Sequence, residues 1–104
     1  MNKAIWFFPD FCDPPHRVAR PEQVDDLAEK LEEGWDRGCP ALVGYPVLDQ
    51  RGIRIQLLSG SHRWAAANRV WTMLPVVIVQ FSEVDECWGT DRWFDLMKKG
   101  DTWE

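Results

Sequence analysis

The chain has 104 residues, a formal net charge of −5 and a sequence pI near 5.0. Its 45% hydrophobic and 28% charged content fits one globular domain that buries roughly two-thirds of its unfolded-chain surface, and excludes wholesale disorder. The acidic balance argues against the bulk electrostatic grip on nucleic acid that basic domains show, and no window approaches the ~18 apolar residues of a membrane span.

The first residues, Met1 to Pro9, hold one Lys and a short apolar run. They lack the long apolar region and small-residue cleavage site of a signal peptide, so they read as a first strand. Residues 11–17 form an irregular connection, because Pro14 and Pro15 resist both helix and central strand. His16, Arg17 and Arg20 cluster there, and Asp10 and Asp13 offer oxygen ligands that could meet a divalent cation. Pro21 then opens a helix whose apolar stripe is Val24, Leu27, Ala28, Leu31 and Trp35, with Arg37 and Gly38 as its stop. Its opposite face is acidic.

Ala41 to Val47 reads as a strand and residues 49–52 as a turn. Ile53, Ile55 and Leu57 alternate with Arg54 and Gln56, the pattern of a strand with one buried side. Ser59, Gly60 and Ser61 break it, and residues 62–69 form a short Ala-rich helix. Val76 to Phe81 is a β-branched run expected to be a buried strand. Asp91 to Lys99 is a final helix, stopped by Gly100. The order β-α-β-β-α-β-α predicts a single small α/β (α+β) domain, a mixed sheet with packed helices.

Charge is unevenly spread. Residues 22–36 hold seven carboxylates and one Lys, a balance of −6. Residues 37–81 hold five Arg and one Asp, a balance of +4, and residues 82–104 hold seven carboxylates and three bases, a balance of −4. A basic middle between acidic flanks points to a local anion site there and not to a surface that tracks a polymer. Tight DNA binding is therefore not expected. Cys12, Cys39 and Cys87 are odd in number and lack zinc-site spacing, which fits reduced thiols in a cytoplasmic protein with no metal site.

The stretch Leu57 to Asn68 carries the chemistry. A strand runs into a small-residue turn and straight into a helix. The hydroxyl of Ser59 or Ser61 can cap that helix, and Gly60 permits a tight turn and close approach of a ligand. The first helix amides are unpaired and sit at the positive dipole end, which favours an anion. His62 and Arg63 add a donor and a fixed cation; Arg in particular meets phosphate bidentately. Trp64 is expected in the core, since Trp64, Asn68 and Trp71 share one helix side.

The run Leu58-Ser-Gly-Ser-His-Arg-Trp-Ala-Ala-Ala67, followed by Leu74-Pro-Val-Val-Ile-Val79, resembles the ParB/sulfiredoxin-like superfamily, as does the helix from Arg20 to Leu31. The likeness covers about residues 18–81. It implies a nucleotide, ATP, ADP or CTP with Mg2+, whose phosphates lie over Gly60, Ser61, His62 and Arg63. The position that carries the sulfiredoxin cysteine is Ser61 here, so sulfiredoxin chemistry is not expected. Helix positions that meet ATP in sulfiredoxins become Gln23, Asp26 and Lys30. Val70 replaces the usual Gly at the helix end, so the turn through Trp71 and Thr72 must differ.

The expected function is thus a nucleotide-binding domain, with phosphotransferase or nucleotide-hydrolase chemistry as its catalytic form. Ser59, Gly60, Ser61, His62, Arg63, Gln23 and Lys30 are the binding candidates, and His62, Arg63 and Glu22 the catalytic ones. Two other readings stand beside it: a non-catalytic interaction module of phage or plasmid origin, and a ParB-like DNA nuclease. Partition ParB proteins continue into helix-turn-helix and dimerisation domains, and the 23 residues after Phe81 leave no room for them; clamp-like partition is not expected of this chain. Trp88, Trp93, Phe94 and Trp103 either cover the sheet or form a surface for a protein partner.

Overall fold

A five-stranded mixed sheet forms the middle layer of the molecule, with spatial order β1-β5-β3-β4-β2. In the computed structural model, which describes residues 2–16, 19–36 and 38–104, the strands are β1 (Ala4–Phe7), β2 (Cys12–Asp13), β3 (Leu42–Asp49), β4 (Gly52–Leu57) and β5 (Leu74–Ile78). The helices are α1 (Pro21–Glu32), α2 (Ser61–Val70), α3 (Phe81–Cys87) and α4 (Arg92–Met97), with 3-10 turns at Pro9–Phe11 and Lys98–Gly100. The α+β expectation holds. β3 and β5 run parallel at the centre, joined by a long connection that takes in both β4 and α2.

The sheet follows from the sequence pattern. Asp49 pairs with Gly52 across a two-residue turn, where the Asp49 carboxylate accepts the Arg51 amide at 2.7 Å. Helix α1 begins at Pro21, whose fixed φ suits the first helical position. Its face of Val24, Ala28 and Leu31 is buried with Ala66 and Ala67 of α2 against Leu42, Ile55, Leu57 and Val76. On the opposite sheet face Val43 and Val79 pack with Val84 of α3 and Leu96 of α4. The alternation of Leu42 and Val43 between the two layers is the period of a strand.

Three expectations change. The last β-branched run was assigned to a strand as far as Phe81, but β5 ends at Ile78 and Phe81 begins α3. The cause is local: the Glu83 carboxylate reaches back to accept the Gln80 amide at 2.9 Å and starts a helix there. The connection after Phe11 contains a two-residue strand, β2, parallel to β4. Helix α1 stops at Glu32, before Trp35; Arg37 of its expected stop lies outside the described residues, as do Met1, Arg17 and Val18.

The basic middle is not a free cationic patch. Arg51 pairs with Asp13 and Asp49, Arg54 with Asp13, and Arg69 with Asp25. This also removes the Asp10 and Asp13 cation site, because Asp13 already meets two guanidinium groups. Partial burial pushes the Asp13 carboxyl up, but hydrogen bonds from Arg54 and Arg51 outweigh it and hold the carboxyl below its ordinary value. Cys12 is buried, which pushes its thiol up to about 11, so it stays an inert core thiol.

Glu83 is held low in the same sense, by the Gln80 amide and then by Lys99 at 3.0 Å. A carboxylate depressed in the folded state stabilises above its unfolded pKa, about 4.3, and loses that contribution as pH falls through the lower folded value. Melting temperatures from pH 7 to pH 3 should therefore fall steeply below about pH 4.5. Glu83→Gln should flatten part of that slope while costing no more than about 1 kcal/mol at neutral pH, since the pair is well exposed. An unchanged acid slope in the variant would remove Glu83 from the set.

Candidate functional site

The loop from Ser59 to Arg63 lies at the carboxyl end of β4, where both faces of the sheet can reach it. Gly60 is the N-cap of α2 with φ +85° and ψ +36°. That is a left-handed conformation, which glycine adopts without strain. The glycine is required twice over, because a Cβ there would lie 2.2 Å from Leu42 Cδ2. The sequence offers the hydroxyl of Ser59 or Ser61 as a cap, but among the described residues no side chain caps α2. Gly60 takes the cap position through its backbone, and Ser61 is buried as the first helical residue. The first helical bond runs from the Trp64 amide to the Gly60 carbonyl at 2.8 Å. The amides of Ser61, His62 and Arg63 are then the free donors of the helix start.

Two hollows meet on this loop. The smaller, about 410 Å³, is lined by Ser59, Gly60, His62 and Arg63, by Gln23 and Leu27 of α1, and by Pro40–Leu42, Met97 and Asp101. The larger, about 1210 Å³, lies on the α3–α4 side and takes in Ser59, Gly60, Ser61 and His62 with Tyr45, Gln56, His16, Asp85 and the aromatic side chains of Phe81, Trp88, Trp93 and Phe94. His62 touches both. Its Nε2 is buried and has no hydrogen-bond partner among the described residues, a donor or acceptor left for something else to satisfy.

Arg63 is positioned, not loose. Its Nη1 donates to the Pro40 carbonyl at 2.8 Å, and the guanidinium lies over the Trp35 ring at 5.4 Å from the centroid. Arg has five donors in a planar fork, so these contacts hold the group at the wall of the smaller hollow without consuming all its donors. Trp64 is partly buried against the core, although Asn68 and Trp71, expected on the same side, are exposed; its Nε1 donates to the carbonyls of Pro9 at 2.9 Å and Cys12 at 3.1 Å, tying α2 to the 3-10 turn.

Of the residues singled out from sequence, Gln23, Ser59, Gly60, Ser61, His62 and Arg63 come together around the two hollows. Glu22, Asp26 and Lys30 line neither one. The aromatic C-terminal residues divide. Trp103 is buried against Ala41 and Val77 and donates to the Cys39 carbonyl at 2.7 Å, whereas Trp88 and Phe94 stay exposed. Sequence reasoning missed Asp85, Met97 and Asp101. They reach the loop only because α3 and α4 fold back over the sheet, which no local spacing encodes. Among the described residues there is no cluster of three or more His, Cys, Asp or Glu side chains able to hold a metal ion.

Helix α2 ends without glycine. Trp71 takes the left-handed conformation at φ +55°, its amide bonded to Ala67, and its ring stacks on Phe8 at 5.2 Å. The stack supports a conformation that costs a non-glycine residue roughly 1–2 kcal/mol.

The fold has relatives among solved structures. The C-terminally truncated chromosome-partitioning protein ParB from Caulobacter crescentus, determined in complex with CTP-gamma-S, superposes with a TM-score of 0.59 at 23% identity, covering 74% of this chain and 44% of that one. A conserved hypothetical protein from Pyrococcus furiosus superposes with a TM-score of 0.57 at 16% identity, covering 76% of this chain and 33% of that one. This chain thus spans less than half the length of either neighbour, and the likeness is one of fold. No protein-family model matches the sequence, and no curated protein matches it. No described helix is long and apolar enough to cross a membrane.

Proposed function

We propose that this domain binds a nucleoside polyphosphate, with the phosphates over Gly60–Arg63 and magnesium accompanying them. One observation carries the reading: a left-handed glycine turns a helix start, with its free amides, into the junction of two hollows, beside a guanidinium that lines one of them and is held there by the Pro40 carbonyl. Amides at a helix start and an Arg fork are the groups that hold phosphate. Gln23 and Ser59 add neutral donors, and His62 brings its unpaired nitrogen. Glu22 and Lys30 line neither hollow and so lend this reading no support. ATP, ADP and CTP are the candidates; the CTP analogue held by the Caulobacter neighbour puts CTP high on the panel.

Chemistry at such a site would be phosphoryl transfer, which rests on positioning and charge stabilisation more than on covalent groups. In a transfer or hydrolysis, Arg63 would neutralise charge as it moves and His62 would serve as donor or acid–base group. Ser61 is not a nucleophile in this reading, because it is buried and no side-chain base hydrogen-bonds its hydroxyl among the described residues.

A thermal-shift panel of ATP, ADP, CTP and GTP, with and without magnesium, tests the binding. Ligand at 100 times its Kd adds roughly 2.7 kcal/mol of stability. Calorimetry on Arg63→Ala should then show affinity weakened by about 1.5–3 kcal/mol, the range for a charge-assisted hydrogen bond. Circular dichroism must show the fold intact, as Arg63 also holds the Pro40 carbonyl. Equal affinity in variant and parent would take Arg63 out of the site.

A further inference from the structure

The loop proposed to hold phosphate opens directly onto the larger hollow, and the smaller and larger hollows share Ser59, Gly60, His62 and Met97. The far wall of that hollow is aromatic and uncovered: Phe81 is 59% exposed, Phe94 67% and Trp88 71%. Trp88 meets Trp93 edge to face, with centroids 5.2 Å apart and planes at 88°. That contact steadies the indole yet leaves most of it open. A steadied, open π-surface beside a phosphate site suits a flat heterocycle.

The same wall carries one carboxylate. Asp85 lines the hollow and makes no hydrogen bond or ion pair among the described residues. An ionised carboxylate only accepts hydrogen bonds. It therefore favours a ring with an exocyclic amino donor, as on adenine, cytosine or guanine. Uracil flanks its one N–H with two carbonyl oxygens, which would face the carboxylate with lone pairs. The carboxylate also repels phosphate, so it orients the ligand: polyanion toward the loop amides and Arg63, ring toward Asp85.

We propose that the larger hollow is the nucleobase subsite, with Trp88 as the stacking surface and Asp85 selecting bases that carry an amino group. The proposal rests on the phosphate reading of the loop, and its test separates the two. The full chain, with magnesium, is titrated calorimetrically with ATP, CTP, GTP, UTP and inorganic tripolyphosphate. The parent is compared with Trp88→Ala and Asp85→Asn, both exposed positions where folding should survive.

The expected result is that an amino-bearing nucleotide binds tighter than tripolyphosphate, on the order of tenfold or more. Trp88→Ala should abolish that margin and leave tripolyphosphate unchanged, and Asp85→Asn should narrow the gap between the amino-bearing bases and UTP. Tripolyphosphate binding as tightly as every nucleotide would overturn the base subsite and leave the phosphate reading standing. So would a margin that persists in Trp88→Ala, or self-association of the parent lost in that variant, which would put a second copy against the aromatic wall. Absence of binding by all five ligands would overturn both.

Discussion

Gly60→Ala should lower the stability of the domain by about 2–5 kcal/mol. Two costs combine. A non-glycine residue in the left-handed region costs roughly 1–2 kcal/mol, and Gly60 sits at φ +85°. A Cβ would also lie 2.2 Å from Leu42 Cδ2 and 3.2 Å from Leu42 Cγ. Leu42 is only 2% exposed in the core beneath α1 and α2, so the whole side chain must move, and overpacking of this kind costs about 1–3 kcal/mol. At about 4–8 °C per kcal/mol for a domain near this size, the melting temperature should fall by some 10 °C or more. The double variant with Leu42→Ala isolates the clash: Gly60→Ala should cost less in that background, with a coupling of about 1–3 kcal/mol. A parent-like melting temperature would show that the turn is not the strained, filled corner described. Where the variant remains folded, the displaced amides of Ser61 and His62 should also weaken phosphate binding.

Gly100→Ala should be comparably severe for a different reason. Gly100 carries no unusual φ, but a Cβ there would lie 2.1 Å from the Ala41 carbonyl oxygen and 3.1 Å from its carbon. The obstacle is backbone, which cannot swing aside as a side-chain tip does. The Ala41 amide also donates to the Gly100 carbonyl at 2.7 Å, so a displacement that relieves the clash breaks the bond. We expect a loss at or above the upper end of the overpacking range, about 3 kcal/mol. The Trp103 indole should become more exposed as the Cys39 contact loosens. Red-shifted fluorescence together with a lowered urea midpoint would register both effects. Unchanged values for both would mean that the C-terminal turn does not dock against β3 as tightly as Gly100 implies.

Much of this fold is legible in the chain. The alternation of Ile53, Ile55 and Leu57, the stripe from Val24 to Leu31, and the strand–turn–helix at Ser59–Ser61 each encode their own element. What was not legible depends on distant partners. Arg51 and Arg54 look like free cations until Asp13 arrives from another strand. Phe81 looks like the end of a strand because its neighbours are β-branched, and only the Glu83 carboxylate, reaching back three residues, turns it into a helix start. Trp71 occupies a glycine-like conformation that its identity hides, held by Phe8 from the far end of the chain. The site divides along the same line. The loop residues are consecutive and visible in sequence, whereas Asp85, Met97 and Asp101 join them only through tertiary folding.

The edge of the sheet has a bearing on how the domain is made. Asn2 bridges to Trp103, the Glu104 amide donates to the Asn2 carbonyl at 2.8 Å, and the Ala4 amide donates to the Glu104 carbonyl at 3.2 Å. The Asn2 side chain reaches Thr102 across a separation of 100 residues. On a ribosome, β1 is synthesised long before the segment at residues 102–104 that becomes this neighbour, since Asn2 and Thr102 lie 100 residues apart. Loop closure over so long a span is a late, entropically costly event. The α1–α2 core can assemble beforehand, while Trp6 of β1 waits for the Trp103 ring that it meets edge to face. Rejoining the sequence so that residues 102–104 run through a short linker into residue 2, with new ends in the β3–β4 turn, would convert that long-range closure into a local one. Such a permutant should fold faster from the unfolded chain while keeping the same sheet.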